Sequence, residues 1–126
     1  MGEQESLYEA VGGMPFFEQL VDEFYRGVAD DDVLLPLYPD QPDLSGARHR
    51  LTLFLAQYWG GPTTYDDERG HPRLRMRHAR FAIGALERER WYQHMSAAVA
   101  AVSPKPEISA RLLDYFGPAA DHLRNA

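Results

Sequence analysis

Phe16, Phe17, Leu20, Val21, Phe24, Tyr25 and Val28 recur at steps of three and four residues. That spacing gathers them on one face of a helix and would leave a strand with no consistent inner side. Similar stripes follow. Ala47, Leu51, Phe54, Leu55, Tyr58 and Trp59 mark one helix, and Leu86, Trp91, Met95, Ala98, Val99 and Val102 mark another from Ala85 to Val102. Ile108, Leu112, Leu113, Tyr115, Phe116 and Leu123 mark a last one, over Glu107 to Leu123. No run alternates with period two, and hairpin dipeptides such as Asn-Gly are missing. The chain therefore reads as all-α, with about five main helices. A length of 126 residues suits one domain over 1–126.

The punctuation agrees. Ser6-Leu7-Tyr8-Glu9 is a capping box, opening a short helix that Gly12-Gly13 closes. Pro15 suits the first turn of the next helix. Asp30-Asp31-Asp32 can cap a short turn through Val33, Leu34 and Leu35, limited by Pro36 and Pro39. Gly60-Gly61-Pro62 stops a helix sharply, and Thr63 to Pro72, polar and rich in breakers, is predicted as a loop. Ser103-Pro104-Lys105-Pro106 separates the last two helices, while Gly84 and Gly117 blur the boundaries near them.

Composition removes several functions. Thirteen Lys and Arg against nineteen Asp and Glu leave a net charge of −6, a poor footprint for binding nucleic acid without sequence preference. There is no cysteine, so disulfides, iron–sulfur clusters and thiolate nucleophiles are excluded. No apolar run is long enough to span a bilayer, and Met1 to Ser6 lacks the apolar core of a signal peptide. The expected location is cytoplasmic.

Arg73-Leu74-Arg75-Met76-Arg77-His78-Ala79-Arg80-Phe81 sets one histidine among four arginines, with apolar Leu74, Met76 and Phe81 between them. Neutral imidazole can ligate a metal, and guanidinium groups can hold carboxylates. The apolar residues can pack on a flat surface. An iron porphyrin satisfies all three; so local a pattern also suits a short basic helix with a solvated histidine. His49, His71, His94 and His122 lie outside the clearest apolar stripes and read as surface residues. None pairs with another histidine at the spacing of a zinc-hydrolase motif.

Tyr25 stands on an otherwise apolar face, Tyr38 follows the short turn after it, and Trp91 brings an indole N–H to a core stripe. Buried donors need acceptors. Each of the three could bond a nearby carbonyl, and all three together would suit a polar diatomic ligand. Ala47 and Leu51, one helical turn apart, leave room over a flat cofactor, with Arg50 at the edge of that face.

In order and spacing, Tyr8-Glu9-Ala10-Val11-Gly12-Gly13, Phe24-Tyr25, Leu37-Tyr38-Pro39, Phe54 to Pro62, Gly70 to His78 and Trp91 resemble the group II truncated haemoglobins of bacteria. The resemblance runs from about Leu7 to Leu123. It implies a two-over-two helical sandwich around a haem. It implies that His78 is the proximal iron ligand, and that Tyr25, Tyr38 and Trp91 form the distal polar cluster. Leu51 and Phe54 would line the haem, with Leu74, Met76 and Phe81 against it, and Arg50, Tyr65 and Arg75 would meet its propionates. Ala47 falls where many globins carry a distal histidine.

The cofactor expected is haem b (iron protoporphyrin IX), since a c-type haem needs cysteine. The small ligands expected are dioxygen, carbon monoxide, nitric oxide or peroxide, in binding or oxygen transport. The resemblance names no catalytic residue. Peroxidase or nitric-oxide dioxygenase chemistry on the same haem would need an external reductase, because the chain holds no flavin or nicotinamide motif. Relatives in the group can associate, so a homo-oligomer is a further expectation.

Overall fold

The computed structural model describes residues 6–70, 83–102 and 104–125. Helix α1 (Leu7–Ala10) opens with the capping box: Ser6 Oγ accepts the Glu9 N–H at 3.1 Å, and the Glu9 carboxylate accepts the Ser6 N–H at 3.2 Å. Two residues of positive φ, Gly12 (93°) and Gly13 (86°), then turn the chain, a conformation that side-chain-bearing residues resist. Helix α2 (Met14–Ala29) follows with proline in its first turn and buries Phe17, Leu20, Val21, Phe24, Tyr25 and Val28. The predicted face is the buried one, except that Phe16 stays half-exposed.

A 3-10 turn (Leu35–Leu37) leads to α3 (Ser45–Tyr58), which Gly60 ends with φ of 105°. Then come α4 (Thr64–Arg69), α5 (Ala85–Val102) and α6 (Pro106–Leu123). Helix α2 packs on α3 and α5, and α5 packs on α6. The result is a two-over-two sandwich, α2–α3 against α5–α6, with Phe17, Phe24, Met95, Leu112 and Phe116 at its centre. Among the described residues there is no strand. None of the helices searched is long and apolar enough to cross a membrane.

Four expectations need correction. The stretch predicted as loop contains α4. Its first turn is acidic and its last turn basic, which suits the helix dipole, and Gln57 Oε1 accepts the Asp66 N–H at 3.1 Å. Tyr58, expected on the apolar side of α3, is 52% exposed. Leu86 is 53% exposed rather than part of the core. His94 does not stand free on the surface: its Nε2 lies 2.6 Å from the buried carboxylate of Asp31. The remaining histidines fit better. His49 and His122 are exposed, and His49 pairs with Glu68 at 3.0 Å; His71 lies outside the described residues.

Candidate functional site

A cavity of about 320 Å³ lies between α3, α5 and α6, closed at one end by α2 and the turn after it. Its size is within the range usual for small-molecule sites, about 300–1,000 Å³. Tyr25, Tyr38, Arg50, Leu51, Phe54, Tyr65 and Trp91 all line it. Leu74, Arg75, Met76, His78 and Phe81 lie outside the described residues.

Each element aims its contribution by periodicity. Helix α3 turns Ala47, Leu51 and Phe54 toward the cavity at steps of four and three, with Arg50 beside them. Helix α4 sets Tyr65 in the wall, buried, with its ring edge-on to Phe54 at 5.6 Å. Trp91 of α5 is wedged between Phe24 (5.4 Å) and Phe116 (5.9 Å), both at steep angles, which leaves its indole little freedom. Tyr115, Phe116, Ala119 and Ala120 of α6 also line the cavity. Sequence patterning marked Tyr115 and Phe116 only as core, because the wall of an apolar cavity and a packed core show the same stripe.

The polar end is built from phenols. Tyr25 and Tyr38 meet edge to face, with centroids 5.6 Å apart, close enough for their hydroxyls to act on each other. Burial pushes the Tyr25 hydroxyl well above its ordinary range and Tyr38 adds to this, while the charges of Arg50 and Arg48 act the other way. Burial likewise pushes Tyr38 up to about 12, against the lowering effect of the neighbouring Tyr25 hydroxyl. Both phenols are therefore neutral donors at physiological pH. A phenol proton rotates freely about its C–O bond, so either can turn toward a ligand in the cavity both line.

A second polar group lies behind this end. Asp31 Oδ1 accepts the N–H groups of Val33 (2.8 Å) and Leu34 (3.2 Å), while Oδ2 faces His94 Nε2 (2.6 Å) and Arg90 Nη1 (3.3 Å). The acidic run gave a signal for the turn cap, but nothing local linked it to His94, sixty-three residues later. Among the described residues searched, no three His, Asp or Glu side chains gather to hold a metal.

The residues present fit a porphyrin. Leu51, Phe54 and Phe116 give apolar surface for a disc, Arg50 brings a cation to the wall, and Tyr25, Tyr38 and Trp91 add polar hydrogens to the lining.

Comparison with known proteins agrees. The bacterial-like globin family matches residues 6–125. The chain is 38% identical to the group 2 truncated hemoglobin YjbI of Bacillus subtilis, over 94% of this chain and 87% of that one. The crystal structure of a thermostable hemoglobin from the actinobacterium Thermobifida fusca superposes with a TM-score of 0.94 at 51% identity, covering 97% of this chain and 98% of that one. The group II truncated hemoglobin of Bacillus anthracis superposes with a TM-score of 0.92 at 35% identity, covering 98% and 94%. The chain belongs to the bacterial-like globin family, and within it to the group II truncated haemoglobins, which makes it a haem globin.

Proposed function

We propose that this chain is a dioxygen-binding haem protein that retains its ligand tightly, with haem b held through His78 and with Tyr25, Tyr38 and Trp91 as donors to the gas. One observation supports the reading: Tyr25, Tyr38 and Trp91, three side chains with a polar hydrogen, line the same largely apolar cavity. Haem, when bound, supplies the iron at which a diatomic gas is held. The chain supplies the rest. Leu51 and Phe54 keep water from the disc, and Arg50 offers its guanidinium to a propionate. Near His78, Leu74, Met76 and Phe81 supply apolar surface, and Arg75 and Tyr65 are offered as further propionate partners. One phenolic proton of the Tyr25–Tyr38 pair, together with the Trp91 indole N–H, donates to the polar ligand.

Such bonds act in a low-dielectric space, and each is worth about 1 kcal/mol. Two acting together slow release by roughly thirtyfold, taking about 1.4 kcal/mol per factor of ten. This favours retention over rapid delivery. The chain is proposed to act in the cytoplasm as one domain, 1–126, with any redox turnover fed by a separate reductase.

The test is the dioxygen dissociation rate of Tyr25→Phe, Trp91→Phe and their double variant. The double variant should release dioxygen at least about tenfold faster. An unchanged rate there would remove the donor mechanism.

A further inference from the structure

Three elements carry the three donors, and one buried carboxylate touches two of them and ends the third. Tyr25 sits on α2, whose last residue is Ala29. Asp31, two residues on, caps the turn toward Tyr38 by accepting the N–H groups of Val33 and Leu34. Its other oxygen takes His94 and Arg90, four residues apart on α5 and so on one face of it. Trp91 is the next residue after Arg90. The Asp31 side chain is only 1% exposed, so its charge depends on these four donors in place of water.

The packing leaves the clamp little slack. The imidazole of His94 lies directly over Gly27 of α2: a Cβ on that glycine would fall inside contact distance of Nδ1, and 3.0 Å from Cε1. Helix α5 approaches the α2 backbone there because no side chain intervenes. The histidine ring thus rests on α2 while its far nitrogen holds the turn.

We propose that Asp31, with His94 and Arg90, is a positioning group for the ligand-facing donors, fixing the turn that leads to Tyr38 against the stretch of α5 that holds Trp91. The inference rests on the reading of Tyr25, Tyr38 and Trp91 as donors. The clamp touches no ligand itself. It fixes the distance between a phenol and an indole that must meet the same small molecule.

The test compares His94→Leu, Asp31→Asn and His94→Gln with Val99→Ala, a buried change on α5 away from the clamp. Haem-loaded proteins are read in three ways: the C–O stretch of added carbon monoxide, the dioxygen dissociation rate, and the Tyr38 resonance in protein labelled with [13Cζ]tyrosine. His94→Leu and Asp31→Asn should broaden or split the stretch, move the Tyr38 resonance and quicken release about fivefold, the equivalent of one hydrogen bond. His94→Gln keeps an N–H donor and should restore all three toward wild type. Val99→Ala should lower Tm and move none of them. If His94→Leu lowers Tm yet leaves stretch, rate and resonance where Val99→Ala leaves them, the clamp is structural only and the inference is overturned. If His94→Leu does not fold, Asp31→Asn and His94→Gln carry the same comparison. A triple Tyr25→Phe/Tyr38→Phe/Trp91→Phe variant with unaltered release would overturn the donor reading instead. The Tyr38 resonance in the clamp variants would then still decide whether Asp31 fixes the turn.

Discussion

Alanine at a glycine inside a helix normally stabilises it, by about 1 kcal/mol. At Gly27 the structure predicts the opposite sign. The new Cβ would meet the edge of the His94 ring at Nδ1, Cε1 and Cγ, the last at 3.1 Å. A loose side chain would swing away cheaply. This ring cannot move without leaving Asp31, whose carboxylate it meets at 2.6 Å. Losing a hydrogen bond to a buried charge costs about 1.5–3 kcal/mol. Set against the helix gain, the net loss is about 0.5–2 kcal/mol, or about 2–8 °C in Tm at roughly 4 °C per kcal/mol. The assay is thermal unfolding of wild type, Gly27→Ala, His94→Ala and the double variant, followed by circular dichroism. In the double variant the ring is gone, so alanine should recover its helix benefit and raise Tm above that of His94→Ala. A Gly27→Ala protein that melts higher than wild type would refute the reasoning, since the ring would then be free to yield.

Acid should find the same weak point. Burial pushes the Asp31 carboxyl up, but His94, the N–H groups of Val33 and Leu34, and the Arg90 charge outweigh it and hold it at about 2, below the ordinary 3.8. A lowered folded-state value means that the stability Asp31 contributes is fully present above about pH 4 and is lost as pH falls toward 2. Tm measured across that window should drop in wild type and drop less steeply in Asp31→Asn; parallel curves would contradict the assignment. Phe116→Ala should cost about 3–5 kcal/mol, since the ring is 1% exposed, and should also loosen Trp91. Calorimetry together with indole fluorescence checks both, and a loss under about 1 kcal/mol would contradict it.

Much of the fold was legible because α2 and α6 are strongly amphipathic and the chain is well punctuated. The apolar face of α2 could be read almost residue by residue, and α5 begins and ends at Ala85 and Val102 as the stripe and its breakers suggest. Two features misled. Helix α4 hides among breakers and is held by a side chain of α3, which no local pattern announces. Tyr58 and Leu86 continue apolar stripes yet are 52% and 53% exposed, because a stripe can run wider than the face that is covered. At the site, Tyr25 and Trp91 stood out because polar donors interrupt apolar stripes, and Tyr38 because it closes the short turn after α2. His94 did not, because its position is polar in the helix pattern and becomes half-buried only through Gly27 and Asp31, each far away in sequence. The part of α6 that lines the cavity was indistinguishable from core for the same reason: patterning records which side avoids water, not what fills the space beyond it.

The account depends on His78 holding the iron while Tyr25, Tyr38 and Trp91 attend the ligand. The direct measurement is the optical spectrum of haem-loaded wild type and His78→Ala, each oxidised, reduced and then exposed to carbon monoxide. Wild type should give a five-coordinate ferrous spectrum that shifts fully with carbon monoxide, and His78→Ala should lose it. An unchanged ferrous spectrum in His78→Ala would mean that another residue grips the metal, and would contradict the account.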